Sequence, residues 1–383
     1  MIPKQVAEFV NVAVQQVLGE SALVKEDLTN VTDVGEQLTN AQGWVSYIEA
    51  LVNHIGKVIF VARNYEGILP KLQRKDWEYG SILEKISTDL PEANDTDFMN
   101  PTNGAVYTQD KFTKAVVRAK FFNGRLILEV TCPSITEDQL KQSFSNATQL
   151  NSFVSMLFTA CENAMQIKIE ALTLALIRAQ IIDTIHADYG SNALSSMSGV
   201  KAVNLLKLYN DEFSGSLTID TCMHNPDFLR FAGEKMRLYI SRMAKMSTLF
   251  NIEGRERFTK RDLLHVILWS DFVSATTTYL QSSTFHDEML ALPYYEEVPY
   301  WQGTGLSYEE AGKLKGMIGD YEIDGGLKIL GTFSDRDALV IANLERWTPS
   351  HYNNRMHFWN YWFQLMVGLL RDNAENFVVF FVA

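Results

Sequence analysis

The longest regular pattern of apolar positions in the chain predicts a single long helix over 151–189. Apolar side chains recur there at steps of three and four residues, as one buried face of a helix requires. The segment contains no proline or glycine, and Gly190 follows it, at a position where glycine commonly ends a helix. At the rise of an α-helix it would be about 60 Å long, beyond the usual globular range. Because a strict heptad is missing, we predict one helix with other elements packed across it and not a coiled coil.

The segment ahead of this helix predicts a long β-arm. Two apolar-rich runs, 114–122 and 125–131, flank Asn123-Gly124, and Asn-Gly between two strand patterns is a strong hairpin signal. The first part of the segment has weak periodicity and several glycine and proline residues. Loops of that length are usually functional or docked on another surface. We therefore interpret 64–131 as a β-arm that points away from the body.

The N-terminal pattern predicts a short helix and then a polar arm. Apolar residues at helical spacing indicate an amphipathic helix over 2–18, with little positive charge on its polar face, which favours packing on protein. Residues 19–42 are polar and acidic, which indicates an extended arm. A helix over 44–54 and a strand over 57–63 follow.

The pattern after the long helix predicts a separate α/β domain and then aromatic terminal strands. The helices of this domain are expected near 200–210, 226–250 and 271–283, and its strands at 263–269 and 337–344. The closing stretches 358–364 and 377–382 are rich in aromatic residues and are typical of buried strands.

Composition narrows the function classes. The chain carries 34 basic and 46 acidic residues, a net charge of −12. Proteins that bind nucleic acid over a large surface need clustered lysine and arginine, so that class is disfavoured. An acidic lining is compatible with enclosing DNA without adhering to it, although solubility alone also explains the charge. No signal-peptide pattern and no apolar run of about 20 residues occurs, which indicates a protein made and kept in water.

The cysteine pattern predicts reduced thiols. Cys132, Cys161 and Cys222 are far apart and form no CxxC pair, which argues against a zinc ribbon or a thioredoxin-like site. An odd number of cysteines without a signal peptide indicates buried, reduced thiols in a cytoplasmic product.

Local motifs predict no catalytic residue, no cofactor and no metal site. Gly303-Thr304-Gly305 begins a dinucleotide fingerprint, but Tyr308 stands where the third glycine is needed for close helix packing. The sequence has no phosphate-loop motif, no nucleophile elbow and no zinc-binding spacing of histidines.

The order of these elements resembles the Hong Kong 97-like fold of tailed-phage major capsid proteins. Short stretches are similar to the phi 29-like group of small podoviruses. Residues 51–59 resemble that group's helix-to-strand entry, 80–86 its E-loop, and 358–361 with 371–377 its terminal strands. The resemblance covers about 1–190 and 337–383 well, and the region between them matches in pattern alone.

The resemblance implies an α+β capsid fold with an N-terminal arm, a β-hairpin E-loop, a P-domain with a long spine helix and a sheet, and an inserted A-domain. The expected boundaries are 1–43 for the arm, 44–63 for the P-domain entry, 64–131 for the E-loop, 132–190 for the P-domain with the spine helix, 191–345 for the A-domain and 346–383 for the terminal P-domain strands.

The resemblance also implies the function of a structural protein and not an enzyme. Such a chain self-assembles into hexamers and pentamers of an icosahedral or prolate phage shell that encloses double-stranded DNA without sequence-specific binding. Other implied partners are a separate scaffolding protein and a portal, with no membrane. The protein would be made in the cytoplasm of a bacterial host and would reside in the virion capsid.

Aromatic and apolar side chains of the arm and of the A-domain tip are the expected contacts between subunits. The candidates in the arm are Trp77, Tyr79, Ile82, Leu83, Phe98 and Tyr107. The candidates at the tip are Tyr294, Tyr295, Tyr300 and Trp301. Core packing explains the tip residues about equally well, and the arm residues could also fold back on their own domain.

Three other functions fit parts of the pattern. An encapsulin-like compartment shell would share the fold and require a cargo partner. A soluble enzyme with a mobile lid over 64–110 would be a monomer or dimer with a deep polar pocket. A phage tail or connector component would form a single ring or tube and not a closed shell.

Overall fold

The fold is described from a computed structural model. The described segments are 68–74, 83–91, 114–132, 134–136, 147–190, 193–196, 198–281, 295–304, 307–308, 313–318 and 321–383. In the N-terminal region the described positions are 7, 11, 14–15, 23–25, 29–30 and 33–34.

Four α-helices and sixteen strands are defined in these segments. The helices are α1 (Ala147–Tyr189), α2 (Leu205–Phe213), α3 (Pro226–Met243) and α4 (Ser270–Gln281). The strands are β1 (Gln73–Arg74), β2 (Leu83–Thr88), β3 (Val117–Phe122), β4 (Arg125–Thr131), β5 (Ile135–Thr136), β6 (Ala202–Asn204), β7 (Leu264–Trp269), β8 (Tyr295–Val298), β9 (Gly303–Thr304), β10 (Ser307–Tyr308), β11 (Lys313–Ile318), β12 (Tyr321–Asp335), β13 (Leu339–Trp347), β14 (Ser350–Asn353), β15 (Phe358–Arg371) and β16 (Phe377–Val382).

Most strands belong to two six-stranded sheets. The first sheet has the order β1-β13-β15-β14, and β4 and β5 also pair with β15. The second sheet has the order β6-β16-β12-β7-β8, with β11 paired to β12. Strands β2 and β3 form a separate two-stranded ribbon, and β9 and β10 form a second small pair. The mixture of sheets and helices confirms the predicted α+β class.

Helix α1 confirms the predicted long helix and connects the two large sheets. It ends at Tyr189, and Gly190 follows with a φ of +55°, a left-handed conformation that glycine adopts without steric cost. The helix contacts β4, β13 and β15 of the first sheet and β6, β11 and β16 of the second. One rigid element therefore runs along both sheets.

The main hydrophobic core lies between the second sheet, α1, α2, α3 and α4. Every residue of β16 is buried, from Phe377 to Val382, because the strand is central in its sheet and covered on both faces. An uninterrupted apolar run is the pattern expected of such a strand.

The predicted hairpin about Asn123-Gly124 is wrong in its pairing, although both strands exist. Strand β3 pairs with β2, and β4 pairs with β15, from Arg125 opposite Gly368 onwards. The backbone carbonyl of Gly124 accepts a hydrogen bond from the Leu369 amide at 2.7 Å. A Cβ atom on Gly124 would lie 2.7 Å from the Leu369 carbonyl oxygen. The turn is thus a close crossing from the ribbon to the first sheet, and glycine is needed for that approach.

The elements predicted for 191–345 and for the terminal strands are confirmed. Helices and strands occur at each predicted place as α2, α3, α4, β7 and β13. Helix α3 ends at Met243, earlier than expected, because the chain then turns back. The amide of Thr259 donates to the Met243 carbonyl at 2.8 Å. The two terminal strands divide between the sheets, since β15 lies in the first and β16 in the second.

The N-terminal predictions lie largely outside the described residues. Positions 7, 11 and 14–15 are helical, in agreement with the predicted helix over 2–18. Asp33 and Val34 are also helical, which contradicts a fully extended arm over 19–42 at this point. The predicted helix over 44–54 and strand over 57–63 lie outside the described residues.

Cys132 and Cys161 form a disulfide, with Cα atoms 5.9 Å apart, so the prediction of reduced thiols is wrong for this pair. The prediction used separation in sequence, whereas the contact of β4 with α1 brings the two residues together. Cys222 is a free, buried thiol, as predicted. Burial raises its pKa to about 11.

Candidate assembly surface

The ribbon of β2 and β3 has two faces of different chemistry. The strands pair antiparallel, with Leu83 opposite Phe122 and Lys85 opposite Lys120. Directly paired residues of an antiparallel ribbon project to the same side. Alternate pairs therefore point toward the rest of the subunit, here called the body, and the pairs between them point away from it.

The outer face of the ribbon is exposed and carries four apolar residues, with Glu84 and Thr88 also on it. Ile86 and Phe121 are each 63% exposed and Val117 is 59% exposed. Leu90 and Val116, next to the ribbon, are 55% and 53% exposed. Single exposed apolar residues are ordinary, but a contiguous patch usually marks a surface that contacts another molecule.

The inner face begins with a small apolar contact at the base of the ribbon. Leu83 and Phe122 pack against Val340 and Leu370 of the first sheet. Phe122 is 8% exposed, whereas its neighbour Phe121 points outward. This contact joins the base of the ribbon to the body.

Beyond the base, the inner face is held by charge. Lys85 Nζ donates to an Asp372 carboxylate oxygen at 2.6 Å and to Glu375 at 2.6 Å. Lys120 Nζ donates to the other Asp372 oxygen at 2.8 Å and to Glu253 at 2.5 Å. We call these two lysines and three carboxylates the ion-pair cluster.

Asp372 is the centre of the ion-pair cluster. Its side chain is 1% exposed, whereas Lys85 and Lys120 are about one third exposed. Burial alone would raise the pKa of Asp372, but hydrogen bonds from Lys120 and Lys85 outweigh it and hold that pKa below its ordinary value. Burial alone would lower the pKa of both lysines, but their hydrogen bonds to the carboxylates outweigh it and raise it. Asp372, Lys85 and Lys120 are therefore charged at neutral pH.

A second contact lies at the far end of the described ribbon. Asp89 pairs with Arg118 of β3 at 2.9 Å and with Arg255 of the body at 3.3 Å. The hydrogen bond from Arg118 lowers the pKa of Asp89. This pair is largely solvent-exposed, so its contribution to stability is small.

The structure describes four of the ten predicted interface residues. Leu83 belongs to the base contact of the ribbon. Tyr295 begins edge strand β8 and is 38% exposed. Trp77, Tyr79, Ile82, Phe98, Tyr107 and Tyr294 lie outside the described residues.

Tyr300 and Trp301 are covered within the subunit. The Tyr300 hydroxyl donates to Glu170 of α1 at 3.1 Å, and Trp301 Nε1 donates to the Ile329 carbonyl at 2.9 Å. Trp301 is 1% exposed. Both side chains occupy the core, which is the alternative to an interface contact that the sequence left open for them.

Sequence reasoning missed the residues that define the two ribbon faces. Ile86, Val117 and Phe121 lay in the predicted arm but were not named as contacts. The alternation of apolar and charged residues over 117–121 was the available signal. Lys85 and Asp372 are 287 residues apart, and no local pattern relates them.

The part of the chain that the structure describes contains no group of three histidine, cysteine or acidic side chains placed to hold a metal ion. No helix among the same residues is long and apolar enough to cross a bilayer.

Solved structures of phage particles are similar to this chain. A structure of the head fiber and inner core protein gp22 of native bacteriophage P68 matches with a TM-score of 0.50, at 9% identity, covering 80% of this chain and 82% of that one. A capsid structure of Staphylococcus phage Andhra matches with a TM-score of 0.48 at 8% identity, covering 84% of each chain. A capsid structure of cyanophage P-SCSP1u matches with a TM-score of 0.47 at 11% identity, covering 84% of this chain and 90% of that one.

The sequence itself gives the family. No curated protein matches the chain. The model of the Phi29-like phage major capsid protein family matches residues 10–381. The match spans nearly the whole sequence, and the two-sheet α+β architecture with its long helix agrees with the Hong Kong 97-like fold. The chain belongs to the Phi29-like phage major capsid protein family and is a structural protein of the phage capsid.

Proposed function

We propose that copies of this chain form rings of five and six, and that these rings close into an icosahedral or prolate shell around double-stranded DNA. In each contact the outer face of the ribbon would pack on a different surface of a neighbouring copy. Such contacts between unlike patches are the kind that generate rings. Membership of the capsid protein family supports self-assembly.

The observation that carries this proposal is the opposite character of the two ribbon faces. The inner face is used within the subunit, through Lys85, Lys120 and the base contact. The outer face presents Ile86, Val117 and Phe121 to solvent. A ribbon that packed on its own body for stability alone would place its apolar residues inward.

The strength of the proposed contact suits reversible assembly. Complete burial of a large apolar side chain contributes about 1.5–3 kcal/mol. Because about three fifths of Ile86, Val117 and Phe121 is exposed, covering all three gives about 3–5 kcal/mol. That is weak for one pair of subunits, but each copy makes several contacts in a closed shell, so misplaced copies dissociate and correct shells persist.

The remaining predicted interface residues are part of this proposal. Leu83 acts from the base of the ribbon, and the exposed Tyr295 acts at the edge of the second sheet. Trp77, Tyr79, Ile82, Phe98, Tyr107 and Tyr294 stay proposed contacts between subunits.

The proposal includes a separate scaffolding protein, a portal, synthesis in the host cytoplasm and no catalysis. It also includes DNA held without sequence recognition, which the net charge of −12 supports. The compartment shell, the enzyme with a lid and the tail or connector component remain the competing functions. Cargo protein inside the shell would favour the compartment. A monomer with enzymatic turnover would favour the enzyme, and a single ring would favour the tail or connector component.

Introducing a charge at the centre of the outer face tests the proposal. The full chain is expressed with and without its neighbouring gene products, and assembly is followed by sedimentation velocity and electron microscopy. We expect closed shells from the wild type and dispersed, folded subunits from Ile86→Asp.

Val200→Asp is the matched control, because Val200 is also β-branched and is 44% exposed on a different part of the surface. We expect this variant to assemble normally. Shells formed by Ile86→Asp at the wild-type subunit concentration would overturn the proposed contact.

A further inference from the structure

The ribbon meets the body through very little apolar surface. At its base Leu83 and Phe122 pack on the first sheet, but the next inward pair is Lys85 with Lys120, and the one after it is Ser87 with Arg118. Apolar packing, which is non-directional, therefore acts at one end of the ribbon only. Beyond the base, the angle between the ribbon and the body depends on polar contacts.

The body side of the contact is a concentration of negative charge. Asp372 and Glu375 lie in the turn between β15 and β16, and the backbone of that turn is tied to the loop that carries Glu253. The Glu253 amide donates to the Asn373 carbonyl at 3.2 Å. Asp372 is almost completely buried, and a buried carboxylate without cationic partners is unfavourable.

The ribbon supplies both lysines that Asp372 uses. If the ribbon tilted away, the three carboxylates would lose Lys85 and Lys120 together, leaving Arg257 on Glu375 and Arg255 on Glu253. The position of the ribbon against the body is thus favoured by charge compensation. It has a defined geometry because each of the two Asp372 carboxylate oxygens accepts a hydrogen bond from one lysine.

We propose that Asp372 is a positioning residue for assembly: through Lys85 and Lys120 it sets the angle at which the ribbon presents its outer face to a second copy of the chain. This inference rests on the proposed function of the outer face. Because the Asp372 side chain lies beneath the ribbon lysines and is only 1% exposed, it acts on a neighbouring copy through the ribbon.

Asp372→Asn separates this role from an ordinary role in the turn. Asp372 also accepts a hydrogen bond from the Ala374 amide at 3.0 Å, and the asparagine side-chain oxygen can still accept that bond. The substitution therefore keeps the shape and the turn contact while it removes the charge that holds the two lysines.

Asp335→Asn is the matched control. Asp335 is 6% exposed and accepts hydrogen bonds from Thr259 and from the Asp337 amide in the turn between β12 and β13. Neither ribbon lysine is among its hydrogen-bond partners in the described part of the chain. The Asp335 amide also donates to the Asn376 carbonyl at 2.9 Å, so this carboxylate lies beside the turn that holds Asp372. The same change of charge at similar burial thus disturbs the neighbourhood of the ion-pair cluster without removing a hydrogen-bond partner of Lys85 or Lys120.

The first readout is amide hydrogen exchange in the dispersed full-length subunit. In Asp372→Asn we expect exchange of the ribbon amides, 83–88 and 117–122, to become about tenfold faster, with little change in β12 and β16. In the wild type the ribbon exchange should rise with ionic strength, since salt screens the partly exposed lysines. Asp335→Asn should leave the ribbon protected. Unchanged ribbon exchange in Asp372→Asn would overturn the inference.

The second readout is assembly. We expect Asp372→Asn to form shells at a higher subunit concentration than the wild type, or shells of irregular size. Normal shells from Asp372→Asn with a loosened ribbon would refute the positioning role and leave the proposed function standing. Normal shells from Ile86→Asp would refute the proposed function, whatever the exchange experiment gives.

Discussion

A proline at position 172 tests whether α1 mechanically couples the two sheets. Leu172 is a partly buried residue of α1. On its N-terminal side Glu162 pairs with Arg346 of β13 at 2.6 Å, in the first sheet. On its C-terminal side the helix from Leu174 to Tyr189 lies in the main core with the second sheet. A break at this position separates the Glu162–Arg346 pair from the part of α1 in the main core, and the pair of Asp183 with Arg371 of β15 becomes the contact of the C-terminal part with the first sheet.

The sizes of two opposing effects decide what the break does. Leu172→Pro removes one helix hydrogen bond and introduces a clash, at a cost of about 3 kcal/mol or more. The C-terminal half of α1 buries Leu174, Ile177, Ile181, Ile182, Ile185 and Tyr189. At about 1.5–3 kcal/mol each, these contacts exceed the cost of the proline. The helix should therefore kink, with the second sheet still folded and the first sheet redirected, and closed shells should not form.

Electron microscopy of Leu172→Pro shows whether closed shells form, and hydrogen exchange shows whether the second sheet stays folded. Leu172→Ala removes nearly the same side chain but keeps the amide, so we expect a loss of about 1–2 kcal/mol and normal shells. Normal shells from the proline variant would show that α1 does not set the subunit geometry. Rapid exchange throughout β12 and β16 in that variant would show that the core does not hold the helix as argued.

Other features give further predictions. Trp301→Phe leaves the Ile329 carbonyl without its indole donor, and chemical denaturation should show a loss of about 1–3 kcal/mol even in dispersed subunits; a defect in assembly alone would contradict the core assignment. Gly124→Ala places a Cβ against the Leu369 carbonyl and should cost about 1–3 kcal/mol by denaturation, whereas Asn123→Ala should be nearly neutral. Non-reducing peptide mapping should find Cys132 joined to Cys161, and Cys161→Ser should lower the free energy of unfolding by about 2–4 kcal/mol; two free thiols in the particle would refute this. Ribbon protection, corrected for intrinsic exchange, should be constant from about pH 5 to 9. The pKa of Asp372 is lowered, so its contribution to ribbon stability is lost only as pH falls below the ordinary value of 3.8. The pKa values of Lys85 and Lys120 are raised, so their contribution is lost only as pH rises past 10.5. An opening of the ribbon near neutral pH would refute the assignment.

The elements that the sequence predicted well are those whose signal is local. The long run of helical spacing ending at Gly190 defines α1, and the uninterrupted apolar run over 377–382 defines β16. In both cases burial leaves a pattern in consecutive residues, so the element can be predicted without knowing what packs against it.

The predictions that failed depend on contacts between distant segments. Asn123-Gly124 gives the same local signal for a hairpin and for a crossing between sheets, and only the pairing of β4 with β15 distinguishes them. Cys132 and Cys161 become neighbours because β4 packs on α1. The candidate site was predicted only as a region, since its centre, Asp372, lies far along the chain from both ribbon lysines.

The mistaken hairpin also explains why the ribbon needs a positioning residue. If β3 had paired with β4, the first sheet would have fixed the ribbon through a continuous ladder of backbone hydrogen bonds. Instead the chain passes from β3 into the first sheet at Gly124, and the ladder partner of β3 is β2 alone among the described strands. A two-stranded ribbon is marginally stable by itself. Its direction must then come from side chains, which is the role that the geometry of Lys85, Lys120 and Asp372 allows.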